Sequence, residues 1–429
     1  MNTKTLIGKA SNFNICFRTI TLSSHSGAVL IKDFADRLGL ADLIDSHLNV
    51  KERDRGYCDS QFILGLVWNL ILGGDCLSDL NVLRGDAGTL KLLGEDSMIA
   101  PTTAGEHLRK FDIGDYTDLL RATRLLAERV RPHQKSKTCT IDLDSSIYEQ
   151  CSKRKEGSCR AYNGEVGYHP LLAFWAEEGE LLATHLLAGN RNPASKAVWF
   201  LHQVLKTVPE GLPLKLRADS GFYTWRLIQE LEDHKIVYAI TADLTKALKQ
   251  QIQAIEPKQW RRFGKDAEVA EMSYAPRGRA KHRYVVKRVW LTDKQGEGYW
   301  SYHAVITNDK KKSAKAIMKW ALQRCGMENQ IKEHKSGFGL EKLPTQKFRA
   351  NAVWLLIGQI AFNLVAWMKK LILPEEYEKA TIKRIRHHIL NLAGRIVTTG
   401  RRLFLVISEQ YSYQRVWRHA LKQLAKLSP

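Results

Sequence analysis

Three acids in this chain sit where an ion bound to a nucleic-acid phosphate would need them. Asp144 ends the run Thr-Ile-Asp-Leu-Asp, Asp219 follows Leu-Arg-Ala, and Glu328 lies in a later stretch with helical patterning. Arg324 precedes Glu328 by four residues and Lys335 follows it by seven. At about 100° per residue, one continuous helix would carry Arg324, Glu328 and Lys335 on a single face. A carboxylate between two cations suits a metal ligand whose neighbours hold phosphate oxygens. Acids on separate elements, ordered Asp, Asp, Glu, imply metal-assisted phosphoryl transfer on nucleic acid.

Phosphodiester cleavage needs an activated water or hydroxyl, and charge stabilisation on the phosphate oxygens. Two Mg²⁺ ions ~4 Å apart supply both, and such hard ions take carboxylate oxygens and water. Each piece also has a plainer reading. Asp219 before Ser220-Gly221 could simply cap the following helix. Glu328 between Arg324 and Lys332 could be a surface pair worth a few tenths of a kcal/mol.

The elements that would position these acids are legible in the patterning. Thr138 to Asp144 alternates, with Cys139, Ile141 and Leu143 on one face and Thr140, Asp142 and Asp144 on the other. His169 to Trp175 and Leu181 to Leu187 read as two further strands of a meander. A helix (Ser195 to Thr207), a strand (Pro213 to Ala218), a helix (Thr224 to His234) and a strand (Val237 to Thr241) then imply parallel crossovers. The fold class is α/β: a ribonuclease-H-like mixed sheet flanked by helices, with a β-rich insertion and helical N- and C-terminal regions. The insertion carries a helix near Thr245 to Ile255 and strands at Glu268 to Tyr274, Arg283 to Leu291 and Trp300 to Ile306.

The expected organisation is a helical DNA-binding region over 1–136 and a catalytic core in two parts, 137–242 and 308–370. The insertion fills 243–307, and a basic helical region covers 371–429. In the first region Phe62 to Leu72 is a strongly apolar helix ending at Gly73-Gly74, and Thr103 with Glu106 has capping-box spacing. These helices read equally as a helix-turn-helix DNA reader or as a plain bundle.

The chain has 429 residues and a net charge of +21, from 66 Lys and Arg against 45 Asp and Glu. That balance points to a polyanionic partner, nucleic acid before membrane. Glu256 to Arg288 holds ten Lys/Arg and four acids, and Lys379 to Pro429 eleven and one. Both runs alternate with Trp, Tyr and His, a mixture that favours phosphate contact plus stacking. Seven cysteines with no metal-ligand spacing suggest neither a disulfide framework nor a zinc ribbon, and fit a reducing cytosol. The N-terminus lacks the apolar stretch of a signal peptide. Ala352 to Trp367 is interrupted by Gln359 and Asn363 and falls short of the ~20 apolar residues of a membrane span, so a buried helix is expected.

The segments Ile141-Asp142-Leu143-Asp144-Ser145-Ser146, Arg217-Ala218-Asp219-Ser220-Gly221-Phe222 and Arg324-x3-Glu328-x6-Lys335 resemble the signature blocks of DDE transposases of bacterial insertion sequences. The branch in question ends in Tyr-x2-Arg-x3-Glu-x6-Lys. The resemblance implies that Asp144, Asp219 and Glu328 are catalytic and hold Mg²⁺, with Mn²⁺ able to substitute, and Asp142 is the fallback for Asp144. It implies phosphate contacts by Arg324, Lys332 and Lys335. The Tyr position is Ala321, a departure that removes one expected phosphate contact. The insertion would handle the DNA end, with Trp290 and Trp300 as stacking candidates. Expected partners are double-stranded DNA (terminal inverted repeats and target) and a second copy of the chain. The expected location is the bacterial cytoplasm, at the nucleoid, with no membrane involvement. Rival readings are a nuclease or resolvase on the same fold, or an inactive DNA-binding regulator.

Overall fold

The computed structural model of the chain describes residues 5–10, 13–17, 21–51, 56–276 and 278–427. Residues 1–4, part of the stretch read for a signal peptide, lie outside that set. Five strands form the centre of one large mixed sheet: β1 (Cys139–Ser145), β2 (Leu171–Trp175), β3 (Glu180–His185), β4 (Leu214–Ala218) and β5 (Val237–Thr241). Three more extend it: β6 (Ala267–Tyr274), β7 (His282–Thr292) and β8 (Gly298–Thr307). The order is β6-β7-β8-β5-β4-β1-β2-β3, with the short strand Arg261–Arg262 outside β6. β1, β2 and β3 are an antiparallel meander, while β4 runs parallel to both β1 and β5. β8 pairs antiparallel with β5, so the insertion strands continue the main sheet instead of forming one of their own.

Helices cover both faces. α1 (Ala197–Leu205) and α2 (Trp225–Asp233) bury Phe200, Leu201, Leu227 and Ile228 against Ile141, Leu143, Leu216 and Ile240. Those strand residues are the apolar half of the alternation. The opposite face carries α3 (Ala314–Leu322), whose Ile317 and Met318 meet Val285 and Val305. After α4 (Cys325–Lys332) comes α5 (Phe348–Leu371), which shares a core with Leu172, Phe174 and Leu181.

α5 is long and apolar enough to cross a membrane, yet 94% of its most apolar window is buried inside the protein. Two of its buried polar residues explain how it docks. Asn363 exchanges hydrogen bonds with the Leu181 backbone, at 2.8 Å from its N–H and 2.9 Å to its carbonyl. Gln359 donates to the carbonyls of Leu181 and Leu182. β3 is the edge strand, and these amides satisfy backbone groups that an apolar helix would leave buried and unpaired.

The N-terminal helices, among them Ala28–Arg37, Asp59–Leu72, Pro101–Lys110 and Ile113–Val130, pack around α5 in the same core. Thr103 and Glu106 do not form the expected capping box. Helix Pro101–Lys110 starts three residues earlier, capped at Ala100 with Pro101 in its first turn, a position where a fixed φ and a missing N–H cost nothing. The C-terminal region is not wholly helical either. Gly394–Thr399 and Arg402–Val406 form a hairpin, whose two turn residues, Gly400 and Arg401, have φ of 55° and 62°. Paired positive φ values match the twist of a tight hairpin.

Candidate active site

The parallel pairing of β1 with β4 sets the site. Leu143 is opposite Ala218 in register, so the next residues, Asp144 and Asp219, leave adjacent strand ends side by side. Asp144 is buried and accepts a hydrogen bond from its neighbour Ser145 N–H at 2.7 Å. Asp219 caps the turn Ser220–Phe222, accepting from Gly221 N–H at 3.1 Å. The helix that follows is capped by Thr224, whose side chain accepts from Leu227 N–H.

Burial pushes the carboxyl of Asp219 up to about 6, and the negative charge of Asp144 adds to the shift. Asp144 is also raised, by burial first, although Arg324 pulls the other way. Two desolvated carboxyls, the charge of one raising the other, present a hard-oxygen donor set suited to a divalent cation. The exposed acid Asp243, just beyond β5, also raises Asp219. Sequence reading missed it, although a residue just beyond the third parallel strand is the place to look.

Glu328 and its neighbours depart from the single-face expectation. The helix breaks between α3 and α4, at Gln323 and Arg324. Gly326 N–H bonds Gln323 carbonyl and Met327 N–H bonds Arg324 carbonyl, so this turn is tightened to i→i+3 spacing. Gly326, lacking a Cβ, weakens helix continuation there by about 1 kcal/mol. Beyond α4, residues Glu333–Gly337 form a wide π turn, closed by Phe338 N–H to Glu333 carbonyl. Seven residues of ideal helix thus do not separate Glu328 from Lys335.

Each cation consequently has its own environment. Arg324 Nη1 lies 2.5 Å from Asp144 Oδ2. Lys332 is exposed near the end of α4. Lys335 donates to the Ile147 carbonyl at 2.8 Å and sits over the Tyr148 ring. Glu328 is exposed, and its charge raises Asp144. Asp144, Asp219 and Glu328 do not bring one oxygen each within 4.8 Å of one another. The charge of Asp144 acts on Asp219, and that of Glu328 on Asp144, without the three forming one compact cluster.

Asp142, the fallback, is held in an ion pair. It forms a two-pronged pair with Arg217, both bonds 2.6 Å, and both residues are almost wholly buried. Arg217 also donates to the Trp320 carbonyl at 2.9 Å, tying β1 and β4 to the end of α3. Ala321 packs against the small core of Ile317 and Met318.

Next to the acids, His169 Nε2 is 2.9 Å from Ser145 Oγ and its Nδ1 3.2 Å from the Arg191 carbonyl. Burial lowers the His169 pKa, and the ring holds Ser145 in place. A cavity of 560 Å³ opens here, lined by Ser145, Tyr162, His169, Asn190 and Asp219. On the insertion, Trp290 and Trp300 face each other across β7 and β8, 5.0 Å between centroids. Trp290 is half exposed, whereas Arg288 lies between the rings of Trp300 and Trp260.

The fold and the site can be set beside known proteins. The curated proteins give no significant match. Among solved structures, the cryo-EM structure of a piggyBac transposase synaptic complex with hairpin DNA aligns at 12% identity and a TM-score of 0.46. That alignment covers 94% of this chain and 85% of the other. The family model for the transposase DDE domain, group 1, matches residues 7–429, so the chain belongs to that family of DNA transposases.

Proposed function

We propose that the chain cuts DNA at the ends of a mobile element and joins the freed 3′-hydroxyl to target DNA, using Mg²⁺ or Mn²⁺. Asp144 and Asp219 are the primary ligands and Glu328 the third. The strands β3-β2-β1-β4-β5 are read as the ribonuclease-H-like sheet that carries them. The supporting observation is the register that sets Asp144 beside Asp219 at adjacent parallel strand ends, both raised in pKa.

Bound metal would lower the pKa of the attacking hydroxyl or water and neutralise charge on the phosphate. The chain's own residues set the geometry. Arg324 exchanges Asp144 for a phosphate oxygen as DNA arrives, a partner its planar fork suits equally well. Movement at the break before α4 brings Glu328 towards Asp144. Lys332 contacts phosphate from the exposed end of α4. Lys335 does so after release from Ile147, and otherwise braces the loop after β1. Double-stranded DNA with inverted repeats, and a second copy of the chain to bring two ends together, are the partners of this reading. The exposed Trp290 offers a base a stacking surface at the insertion.

The test is nicking of end DNA by Asp219→Ala and Glu328→Ala under Mg²⁺ and Mn²⁺. Both variants should bind the end and fail to nick it; nicking by either at the wild-type rate removes that residue from the site. Pre-cut ends that give no joined product with wild-type protein would leave a nuclease.

A further inference from the structure

α2 follows β4 and returns the chain to the start of β5, so it runs antiparallel to both strands. Its C-terminal end therefore lies at the sheet edge opposite Asp219. At that end Glu230 and His234 are one helical turn apart, and His202 projects towards them from the neighbouring α1. His202 Nε2 is 2.5 Å and His234 Nε2 3.3 Å from the same Glu230 oxygen, Oε1. One ligand atom from each residue lies within 4.8 Å of the other two. Both imidazoles are about half exposed, which leaves solvent a route in.

We propose that His202, Glu230 and His234 form a second metal site, for a borderline transition-metal cation of the Zn²⁺ class, with water completing the shell. Two imidazole nitrogens and one carboxylate oxygen are a donor set that Zn²⁺ accepts at ~2.0–2.2 Å, with ligand atoms a little over 3 Å apart, so His202 Nε2 and Glu230 Oε1, hydrogen-bonded at 2.5 Å, part slightly to admit it. Imidazole donors select against Mg²⁺, so the site is chemically distinct from the carboxylates of Asp144 and Asp219. Bound metal would pin α1 to α2, the two helices that cover one face of the sheet. The other compact cluster among the described residues, Asp75, Cys76 and Asp79, is weaker, because the Asp79 carboxylate already accepts from the backbone N–H groups of Asp75 and Cys76.

The full-length protein, stripped with chelator, is titrated with Zn²⁺ and Co²⁺ in excess Mg²⁺. Wild type should take up one equivalent that His202→Ala and His234→Ala both lose, and Zn²⁺ should raise the melting temperature of wild type only. Equal melting of all three proteins in chelator shows that the variants fold. The Co²⁺ form should show visible ligand-field bands without thiolate charge transfer. Equal uptake by wild type and both variants, no uptake at micromolar metal, or a thiolate band accounting for the equivalent would overturn the proposal. None of these outcomes depends on DNA cleavage.

Discussion

Arg324 Nη1 rests 2.5 Å from Asp144 Oδ2, so a guanidinium occupies the carboxylate assigned to a metal. Metal and Arg324 then compete for one oxygen. Arg324→Ala should bind Mn²⁺ several-fold more tightly in the absence of DNA, while cleaving end DNA more slowly. Mn²⁺ electron paramagnetic resonance titration measures the first effect. Unchanged or weaker Mn²⁺ binding would show that the pair does not restrain the site.

The two aspartates of β1 should separate cleanly by mutation. Removing either partner of the buried Asp142–Arg217 pair leaves an uncompensated charge, a loss of about 3–5 kcal/mol. Asp142→Ala and Arg217→Ala should therefore show lowered denaturation midpoints. Asp144→Asn should fold at least as well as wild type yet fail to cleave. Equal stability of Asp142→Ala and wild type would contradict the assignment of Asp142 to structure.

Asp219 predicts a pH dependence with a definite sign. Its folded pKa, about 6, lies above the ordinary carboxylate value of 3.8. Between those values the folded state holds more protons than the unfolded chain, so stability falls as pH rises from 4 to 6. About two units correspond to roughly 3 kcal/mol, reduced by whatever solvent reaches the site. Asp219→Asn should match wild type near pH 4 and exceed it at pH 7, as measured by urea unfolding. Mg²⁺ should restore part of the wild-type loss at pH 7. A stability difference between wild type and Asp219→Asn that stays constant over this window would contradict the burial argument.

The strands and the acids' placement were legible because alternation is local. Ile141 and Leu143 against Asp142 and Asp144 announced both the strand and its faces. The register that sets Asp144 beside Asp219 was not legible, since it joins residues 75 apart. The Arg217 partner of Asp142 was hidden for the same reason. The single helical face of Arg324, Glu328 and Lys335 failed at Gly326 and at the π turn, because angular arithmetic assumes an unbroken helix. In the C-terminal region the hairpin turn Thr399-Gly400-Arg401-Arg402 carries a non-glycine residue, Arg401, at positive φ, which the composition does not signal.

That hairpin gives a salt-dependence prediction. Arg401 and Arg402 are exposed at its turn. If they reach phosphates, Arg401→Ala with Arg402→Ala should lower the slope of log binding constant against log salt by about one unit for each phosphate released. Fluorescence anisotropy with end DNA at 50–300 mM salt, about the range where such slopes are resolved, reads this. An unchanged slope would assign the hairpin to packing or to a partner subunit.

The mechanism turns on Glu328 joining Asp144 and Asp219 around divalent metal once DNA is present. Anomalous scattering from Mn²⁺ in a complex with a pre-cut element end reads this without intermediaries. Two peaks ~4 Å apart are expected, touched by all three carboxylates, with Arg324 moved to a phosphate. Metal peaks remote from Asp144 and Asp219, or Glu328 still outside their reach with DNA bound, would refute the three-carboxylate site.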